Sequence, residues 1–255
     1  MAAGKNNSHE QRLELDDPRL TIRRGEILRE KKFLRRIYEE WYGLIQCHAG
    51  DLQGIKVELG SGPGFIEEVV DGVVKSDILL VPRLHLVMDG AACPFANGSL
   101  AALLMVDVLH HMPRAEAFFH EAVRVLSGGG LVVMIEPWMT GWSRWVYRRL
   151  HHERTDPAAP DWHFESSGPL SGANQALPWI IFQRDRKIFE RKFPSLEIVE
   201  IRPMMPLRYL LSGGFTLHGG MPGWCYSLTR GLDRLFRRAV SETGMFALIV
   251  LRKVK

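Results

Sequence analysis

Residues 55–64 read Ile-Lys-Val-Glu-Leu-Gly-Ser-Gly-Pro-Gly, and this stretch decides the fold. A short apolar run that carries an acid is followed by a glycine at every second position. Glycine has no Cβ and accepts positive φ, so it suits a turn that passes close to a ligand. The stretch therefore predicts a buried strand that ends in a ligand-binding turn. The predicted contacts are Glu58, Gly60, Ser61, Gly62 and Gly64.

The residues after this turn limit which ligand it binds. Apolar residues at positions 65, 66, 69 and 70 predict a helix whose N-terminal amides face the ligand. A dinucleotide fingerprint would require glycine at position 65, and the chain has Phe65 there. The spacing thus disfavours a nucleotide-dependent oxidoreductase.

Further apolar runs follow at the spacing of an alternating α/β chain. The run over 73–78 ends near Asp77, where a carboxylate can accept hydrogen bonds from both hydroxyls of a ribose. A near-continuous apolar run over 101–107 predicts a strand buried on both faces. We expect a helix over 114–126 and another buried strand over 131–136.

This order of segments resembles the class I S-adenosylmethionine-dependent methyltransferases, in particular the small-molecule group that includes the ubiquinone- and menaquinone-biosynthesis enzymes. The resemblance covers residues 50–140 and, more loosely, the final predicted strand over 246–251. It implies an α/β fold with a Rossmann-like, seven-stranded, mostly parallel sheet flanked by helices. An N-terminal helix and a substrate-cap insertion after the fifth strand complete that fold.

The resemblance also implies an enzyme that transfers a methyl group from the cofactor S-adenosyl-L-methionine. Asp89 stands where the family's aspartate meets the adenine amine, with small residues beside it to admit the ring. Besides the acid and glycines of the first turn, the implied cofactor contacts are Asp77, Ile78, Asp89, Gly90, Ala91, Asp107 and Val108.

One connection departs from the family pattern. Only about half a dozen residues separate the second run from a third at 84–87, whereas a parallel crossover usually takes a dozen or more and a helix. Either a short loop replaces the helix and opens one flank of the sheet beside Ile78, or the third strand lies elsewhere.

Composition restricts the class of protein. The chain has 255 residues, 46% of them hydrophobic, enough for the core of one α/β domain. The net charge of only +4, and the lack of aromatics that alternate with the basic residues of the helix predicted over 25–48, disfavour a nucleic-acid partner. Three scattered cysteines, a polar N-terminus and the lack of a membrane-length apolar run lead us to expect a cytoplasmic protein.

The chain divides into an N-terminal part and a methyltransferase part. Residues 1–49 are expected to be a loose tail followed by an amphipathic lid helix over 25–48, and residues 50–255 the methyltransferase domain, with the cap at about 137–182. The basic face of the helix is either simply solvated or attracted to an anionic lipid surface or a phosphorylated substrate. Tryptophans in the cap region, interleaved with arginines, either form ordinary core, line an apolar pocket or contact a membrane interface.

Candidate catalytic residues follow the fourth and fifth strands: His110, His111 and Glu136. A general base is needed only for a hydroxyl or acidic-carbon acceptor, and a histidine in this position can equally hydrogen-bond the backbone. We predict no metal ligands, because the adjacent His151 and His152 would point to different helix faces.

Two functions remain open from the sequence besides the disfavoured oxidoreductase. The first is methyl transfer to a small-molecule or lipid-linked acceptor, with possible peripheral membrane contact. The second is a non-catalytic accessory protein that binds S-adenosylmethionine. The oligomeric state and the acceptor are not determined by these motifs.

Overall fold

A seven-stranded sheet organises the computed structural model, in which residues 15–62, 64–150, 154–215, 220–235 and 237–254 are described. The strands are β1 (Ile55–Leu59), β2 (Val73–Asp77), β3 (Leu86–Val87), β4 (Leu100–Val106), β5 (Leu126–Pro137), β6 (Leu196–Met204) and β7 (Phe246–Lys253). Their order is β3-β2-β1-β4-β5-β7-β6. Strand β7 runs antiparallel to both of its neighbours, and the other six strands share one direction. The predicted Rossmann-like fold is confirmed.

Helices pack against this sheet. They are α1 (Pro18–Glu30), α2 (Lys32–Ala49), α3 (Ala115–Val125), α4 (Gly141–Leu150), α5 (Leu177–Trp179), α6 (Arg186–Lys192), α7 (Arg208–Ser212), α8 (Cys225–Leu235) and α9 (Arg237–Thr243). Within the described residues, no helix combines the length and the apolar character needed to cross a bilayer.

The central strands supply the core. Every residue of β4 is buried, as its continuous apolar sequence predicts for a strand covered on both faces. The strand order reverses at β1, whose neighbours β2 and β4 lie on either side. In open α/β sheets ligands bind beyond the carboxyl ends of the strands at such a reversal.

The N-terminal segment differs from the single predicted helix over 25–48. It forms α1 and α2, which meet at Lys31, where φ −80° and ψ 87° leave the helical region. α2 is a core element, because Ile37, Trp41 and Ile45 are fully buried along one of its faces. α1 begins earlier than predicted, since the Asp17 side chain accepts a hydrogen bond from the Arg19 amide and caps it.

The prediction of an α-helix directly after the glycine turn is wrong. The segment holds one 3-10 turn, Ile66–Glu68, and Gly72 at φ +69° reverses the chain into β2. Too few residues separate the turn from β2 for a longer helix. The apolar spacing instead serves to bury Ile66 and Val70 individually.

A short loop, and not a helix, joins β2 to β3. β3 pairs with β2 in parallel, with Ser76 opposite Leu86 and Asp77 opposite Val87. Residues 78–85 are all described and form a loop without helix. This flank of the sheet is therefore open, and Leu80 in the loop is 77% exposed.

A buried arginine joins α2, α7 and α8. Arg208 is 4% exposed, donates to both carboxylate oxygens of Glu40 at 2.8 and 2.9 Å, and contacts Asp233 at 2.5 Å. Tyr226 donates its hydroxyl hydrogen to Glu40 at 2.5 Å. Burial alone would raise the pKa of Glu40, but the hydrogen bonds and charge of Arg208 lower it below its ordinary value.

We expect Arg208→Met to destabilise the protein by about 3 kcal/mol, because it removes the buried cation shared by Glu40 and Asp233 and leaves Glu40 with only the half-exposed Arg230. Urea unfolding followed by circular dichroism measures the loss. The matched control is Arg202→Met, which removes a half-exposed arginine 3.1 Å from Glu200. The control should change the free energy of unfolding by less than about 0.5 kcal/mol. Equal effects of the two variants would contradict a structural role for Arg208.

Candidate active site

A cavity of about 590 Å³ lies at the carboxyl ends of the parallel strands. Its volume falls within the roughly 300–1,000 Å³ range of small-molecule sites. It spans the point where the strand order reverses, between the ends of β1 and β4. The cavity is therefore in the position that this fold uses for ligands.

The cavity gathers the residues that the sequence predicted to bind cofactor. Each of them lines it: Glu58, Gly60, Ser61, Gly62, Gly64, Asp77, Ile78, Asp89, Gly90, Ala91, Asp107 and Val108. They come from four separate segments of the chain. Parallel strands bring their carboxyl ends to one edge of the sheet, which explains the convergence. Their individual roles stay predictions.

The glycine turn is shaped by its packing. Gly60 has φ +65°, and a Cβ there would lie 2.5 Å from Val108 Cγ2. Lys75 of β2 is buried and donates to the Gly64 carbonyl at 3.3 Å and to Glu67 at 3.0 Å. A side chain at Gly60 would thus push the turn away from the loop after β4. The glycine there is a steric requirement of the fold.

Asp77 holds the turn and faces the cavity. Its Oδ2 accepts from the Gly62 amide at 2.8 Å, and its Oδ1 accepts from the Leu79 amide at 2.9 Å. Burial raises the pKa of Asp77, and the backbone hydrogen bonds oppose this rise. A carboxylate oxygen has two lone pairs, so both oxygens retain an acceptor position for hydroxyl groups.

Glu58 is a buried acid with a raised pKa. It is 2% exposed, and within the described part of the chain its Oε2 has no hydrogen-bond partner. Burial raises the pKa of Glu58 from 4.5 to about 7, against the lowering by Ser61 and Lys75. An unmatched buried carboxylate oxygen that lines a cavity favours a ligand with a positive group.

We expect Glu58→Gln to stabilise the ligand-free protein at about pH 8 and to have little effect near pH 5. The native carboxyl binds its proton more tightly than the unfolded one, so wild-type stability falls as pH rises from 4.5 towards about 7. Glutamine is uncharged and escapes this loss, which amounts to about 3 kcal/mol at most. Urea unfolding at both pH values measures it.

The control for that experiment is Glu197→Gln on β6. The Glu197 side chain is 55% exposed, and its carboxylate lies as far as 4.0 Å from the Arg252 guanidinium. Its effect should not vary with pH over this range. If Glu58→Gln destabilised the protein equally at both pH values, the raised pKa of Glu58 would be wrong.

Two of the three predicted catalytic residues lie behind the cavity wall. Glu136 is fully buried, and its carboxylate accepts from the Val108 and Leu109 amides at 2.9 and 2.7 Å. Its Oε2 lies 2.9 Å from Nδ1 of the equally buried His110. Neither residue lines the cavity. This placement suits positioning of the loop after β4, while their catalytic roles stay predictions.

Asp107, His110 and Glu136 each offer one potential metal-ligand atom, and the three atoms lie within 4.8 Å of one another. The oxygens of Glu136 already accept hydrogen bonds from the backbone amides of residues 108–110 and from Nδ1 of the His110 ring. A cation would have to displace those bonds, so we assign the group to loop structure. The His151-His152-Glu153 segment lies outside the described residues.

His111 is the predicted catalytic residue that does line the cavity. Its Nδ1 lies 3.1 Å from the Gly172 carbonyl oxygen. A carbonyl oxygen can only accept, so Nδ1 carries the hydrogen and Nε2 carries the lone pair. This tautomer has the form of a general base, held by a contact from the region after β5.

Sequence reasoning offered Tyr147 for an apolar pocket but missed most of the other residues that complete the cavity. They come from α1, α2, α4, the loop at 166–170, the segment at 209–215 and the start of β7. Aromatic and apolar side chains are prominent among them: Tyr38, Val146, Tyr147, Tyr209, Leu210, Phe215, Met245 and Phe246. Arg24 of α1 adds a positive charge. The irregular composition of 137–223 indicated a substrate region but could not identify these contacts.

Hydrogen bonds join the segments around the cavity. Asp16, just before α1, accepts from the Leu170 amide at 2.6 Å and from the Ser171 hydroxyl. Lys31, between α1 and α2, donates to the Gly214 carbonyl at 2.8 Å. The N-terminal segment is thereby tied to both the 166–170 loop and the 209–215 segment.

The tryptophans of the cap region divide between core and surface. Trp138 and Trp162 are buried, and Trp142 donates to the Pro206 carbonyl at 2.6 Å. Trp145 is 46% exposed and stacks on Trp142 with ring centroids 5.5 Å apart. The cavity lining includes none of these rings. The apolar wall comes instead from tyrosines, phenylalanines and aliphatic residues.

Comparison with known proteins identifies the domain. Residues 57–134 match the Methyltransf_11 family, described as a methyltransferase domain. No curated protein matches the chain. The match covers the strands and turns from β1 to β5 that carry the predicted cofactor residues.

Solved structures share the fold at low sequence identity. The geranyl diphosphate C-methyltransferase from Streptomyces coelicolor A3(2), in complex with Mg2+, geranyl diphosphate and S-adenosyl-L-homocysteine, is 15% identical. The match covers 95% of this chain and 89% of that chain with a TM-score of 0.50. The [4+2]-cyclase SpnF is 13% identical, and the match covers 84% of this chain and 80% of that one, also at TM-score 0.50.

These findings confirm the coarse predictions. Residues 57–134 match a methyltransferase domain, and the predictions of a methyltransferase and of S-adenosyl-L-methionine as its cofactor are confirmed at the level of that match. The ubiquinone-biosynthesis subgroup is not distinguished by them. At these identities the structural likeness is a likeness of fold, so the acceptor has to be argued from the cavity.

Proposed function

We propose that this chain transfers a methyl group from S-adenosyl-L-methionine to a small-molecule or lipid-linked acceptor with an apolar body. One observation carries the proposal: a single cavity joins the predicted cofactor residues to a wall of aromatic and apolar side chains. The first half suits the cofactor, and the second suits an acceptor that is largely apolar.

Five features of the cavity fit the cofactor. Asp77 offers acceptor positions to the ribose hydroxyls. The glycines of the turn allow its backbone to approach the ligand closely. Glu58, with its unmatched oxygen, suits the ammonium of the methionine part, and Arg24 suits its carboxylate. Ile78, Met88 and Ala91 supply apolar surface for the adenine ring. A zwitterion is thus met by one acid and one cation.

The cofactor supplies an activated methyl group on a sulfonium, so the chain's main tasks are orientation and exclusion of water. Tyr38 and Phe246 are buried side chains on the wall and keep that side of the cavity apolar. We propose α1 as the lid over the cofactor and the insertion at about 137–182 as the cap over the acceptor. The Asp16 and Lys31 contacts support this division.

His111 is the residue we propose as general base for a hydroxyl or acidic-carbon acceptor. It lines the cavity, and Nε2 carries the lone pair because Nδ1 donates to Gly172. We propose that His110 and Glu136 are positioning residues, since they hold the 107–111 loop from behind. An acceptor that needs no base, such as an amine with a free lone pair, would leave His111 a binding role.

The wider setting follows from the same apolar wall. A lipid-linked acceptor would be presented at a membrane surface, so we propose a cytoplasmic protein that contacts membranes peripherally. The methyltransferase of known structure is described with geranyl diphosphate, an apolar chain on an anionic group. An acceptor of that general character fits the wall of this cavity.

We expect isothermal titration calorimetry to give micromolar affinity for S-adenosyl-L-methionine and none for NADH. Asp77→Ala should weaken the affinity by at least about tenfold, because the ribose loses hydrogen bonds to a charged group. The matched control is Asp71→Ala, since Asp71 is an exposed acid in the turn before β2. Tight NADH binding without S-adenosyl-L-methionine binding would overturn the proposal.

Transfer of a labelled methyl group separates an enzyme from a cofactor-binding accessory protein. We expect turnover with an amphiphilic acceptor found by screening phenols, prenyl phosphates and lipid extracts. His111→Gln should lower kcat by about a hundredfold while leaving S-adenosyl-L-methionine affinity unchanged. His120→Gln, on the exposed side of α3, is the control. Cofactor binding with no product from any acceptor would favour the accessory protein.

A further inference from the structure

Helix α8 exposes a continuous apolar stripe. Trp224, just before the helix, is 77% exposed, and Leu228, Leu232 and Leu235 within it are 65%, 48% and 74% exposed. These positions follow one another at steps of four, four and three residues, so their side chains share one helix face. Large apolar side chains grouped in this way indicate a contact surface more often than scattered ones do.

The opposite side of α8 is firmly packed. The Tyr226 ring meets Phe33 of α2 edge-on at 5.4 Å, and Asp233 is paired with the buried Arg208. Cys225 and Tyr226 are both buried. The helix therefore already has an inward face, and the apolar stripe is a second one that faces outward.

Arginines lie beside the stripe. Arg234 is exposed on α8 and Arg238 is exposed in α9, whereas Arg230 is paired with Glu40 of α2 at 3.1 Å. Asp233 is turned inward to Arg208, so Glu242 is the exposed acid among the described residues of α8 and α9. A helix with an aromatic and leucines on one face and arginines on the next has the composition of interfacial membrane helices.

Neighbouring helices connect α8 to the cavity wall. α9 packs against both α4 and α8. α4 carries the half-exposed Trp145, over which Arg149 lies at 5.2 Å, and also contributes Val146 and Tyr147 to the cavity wall. Tryptophan and arginine are both enriched at membrane interfaces.

A second copy of the chain fits this surface poorly. The eleven residues of α8 make a face about 16 Å long and about 10 Å wide. That is far below the roughly 800 Å² per partner that stable interfaces bury. A two-fold contact would also bring the arginines of both copies together.

We propose that the α8 face, defined by Trp224, Leu228, Leu232 and Leu235 with Arg234 and Arg238 beside them, docks on an anionic phospholipid surface. The apolar side chains enter the boundary between headgroups and acyl chains, and the arginines meet lipid phosphates. The proposal deepens the membrane contact proposed above and rests on it. The surface lies towards the β6 edge, where α9 packs, and thus far from the open β3 flank.

The test is co-sedimentation of the full chain with vesicles of phosphatidylcholine alone or with about 30 mol% phosphatidylglycerol. We expect binding to the anionic vesicles that weakens between about 0.1 and about 0.5 M salt. The double variant Leu228→Gln with Leu232→Gln should lose at least about tenfold in partition coefficient. Leu80→Gln is the control, because Leu80 is an even more exposed leucine, at 77%, on the β3 side of the sheet.

The variants also separate this inference from the proposed catalytic function. Calorimetry with S-adenosyl-L-methionine should give unchanged affinity in all of them, which shows that they are folded. Arg234→Gln with Arg238→Gln should reduce binding to anionic vesicles and abolish most of its salt dependence. Wild-type protein that ignores anionic vesicles, or a double leucine variant that binds like the wild type, overturns the proposal. The proposal would also be overturned if the wild type were a dimer and the double leucine variant a monomer.

Discussion

The buried carboxylate of Glu136 is the contact on which the rest of the site depends. It joins the end of β5 to the loop after β4, because it accepts hydrogen bonds from consecutive amides of that loop and from the His110 ring. The loop in turn sets Val108 against Gly60 and His111 at the cavity. A shorter side chain at 136, such as alanine, would leave the buried Val108 and Leu109 amides without their acceptor.

Two further buried acids act on the ligand side of the same edge. Asp77 fastens the glycine turn to β2 through the Gly62 amide, and Glu58 retains an unmatched oxygen towards the cavity. Burial raises the pKa of both. The free protein thus carries a cost in stability near neutral pH that a cationic ligand group would relieve. We propose that cofactor binding restores the stability that the ligand-free protein loses at these two acids.

The rest of the cavity depends on contacts between distant segments. Asp16 and Lys31 tie the N-terminus to loops more than a hundred residues away, and Arg208 joins α2, α7 and α8. The same anchoring through Arg208 and Tyr226 fixes which face of α8 remains outside. The cavity wall and the proposed membrane surface therefore share one supporting network. Their proximity suits an acceptor that arrives from a lipid phase.

Through a family resemblance, the sequence alone predicted a seven-stranded, mostly parallel sheet and named the residues that gather along one side of the cavity. Its glycine spacing and strand-end acids are local patterns with one geometric meaning in a parallel sheet. It could not separate His111, on the cavity, from His110, behind it, because neighbouring residues on a short turn differ only in what packs around them. The prediction of a helix after Gly64 was wrong, because Gly72 at φ +69° ends the segment after a single 3-10 turn. The acceptor wall and the outward face of α8 were decided by tertiary structure, because they arise from long-range packing that no local periodicity encodes.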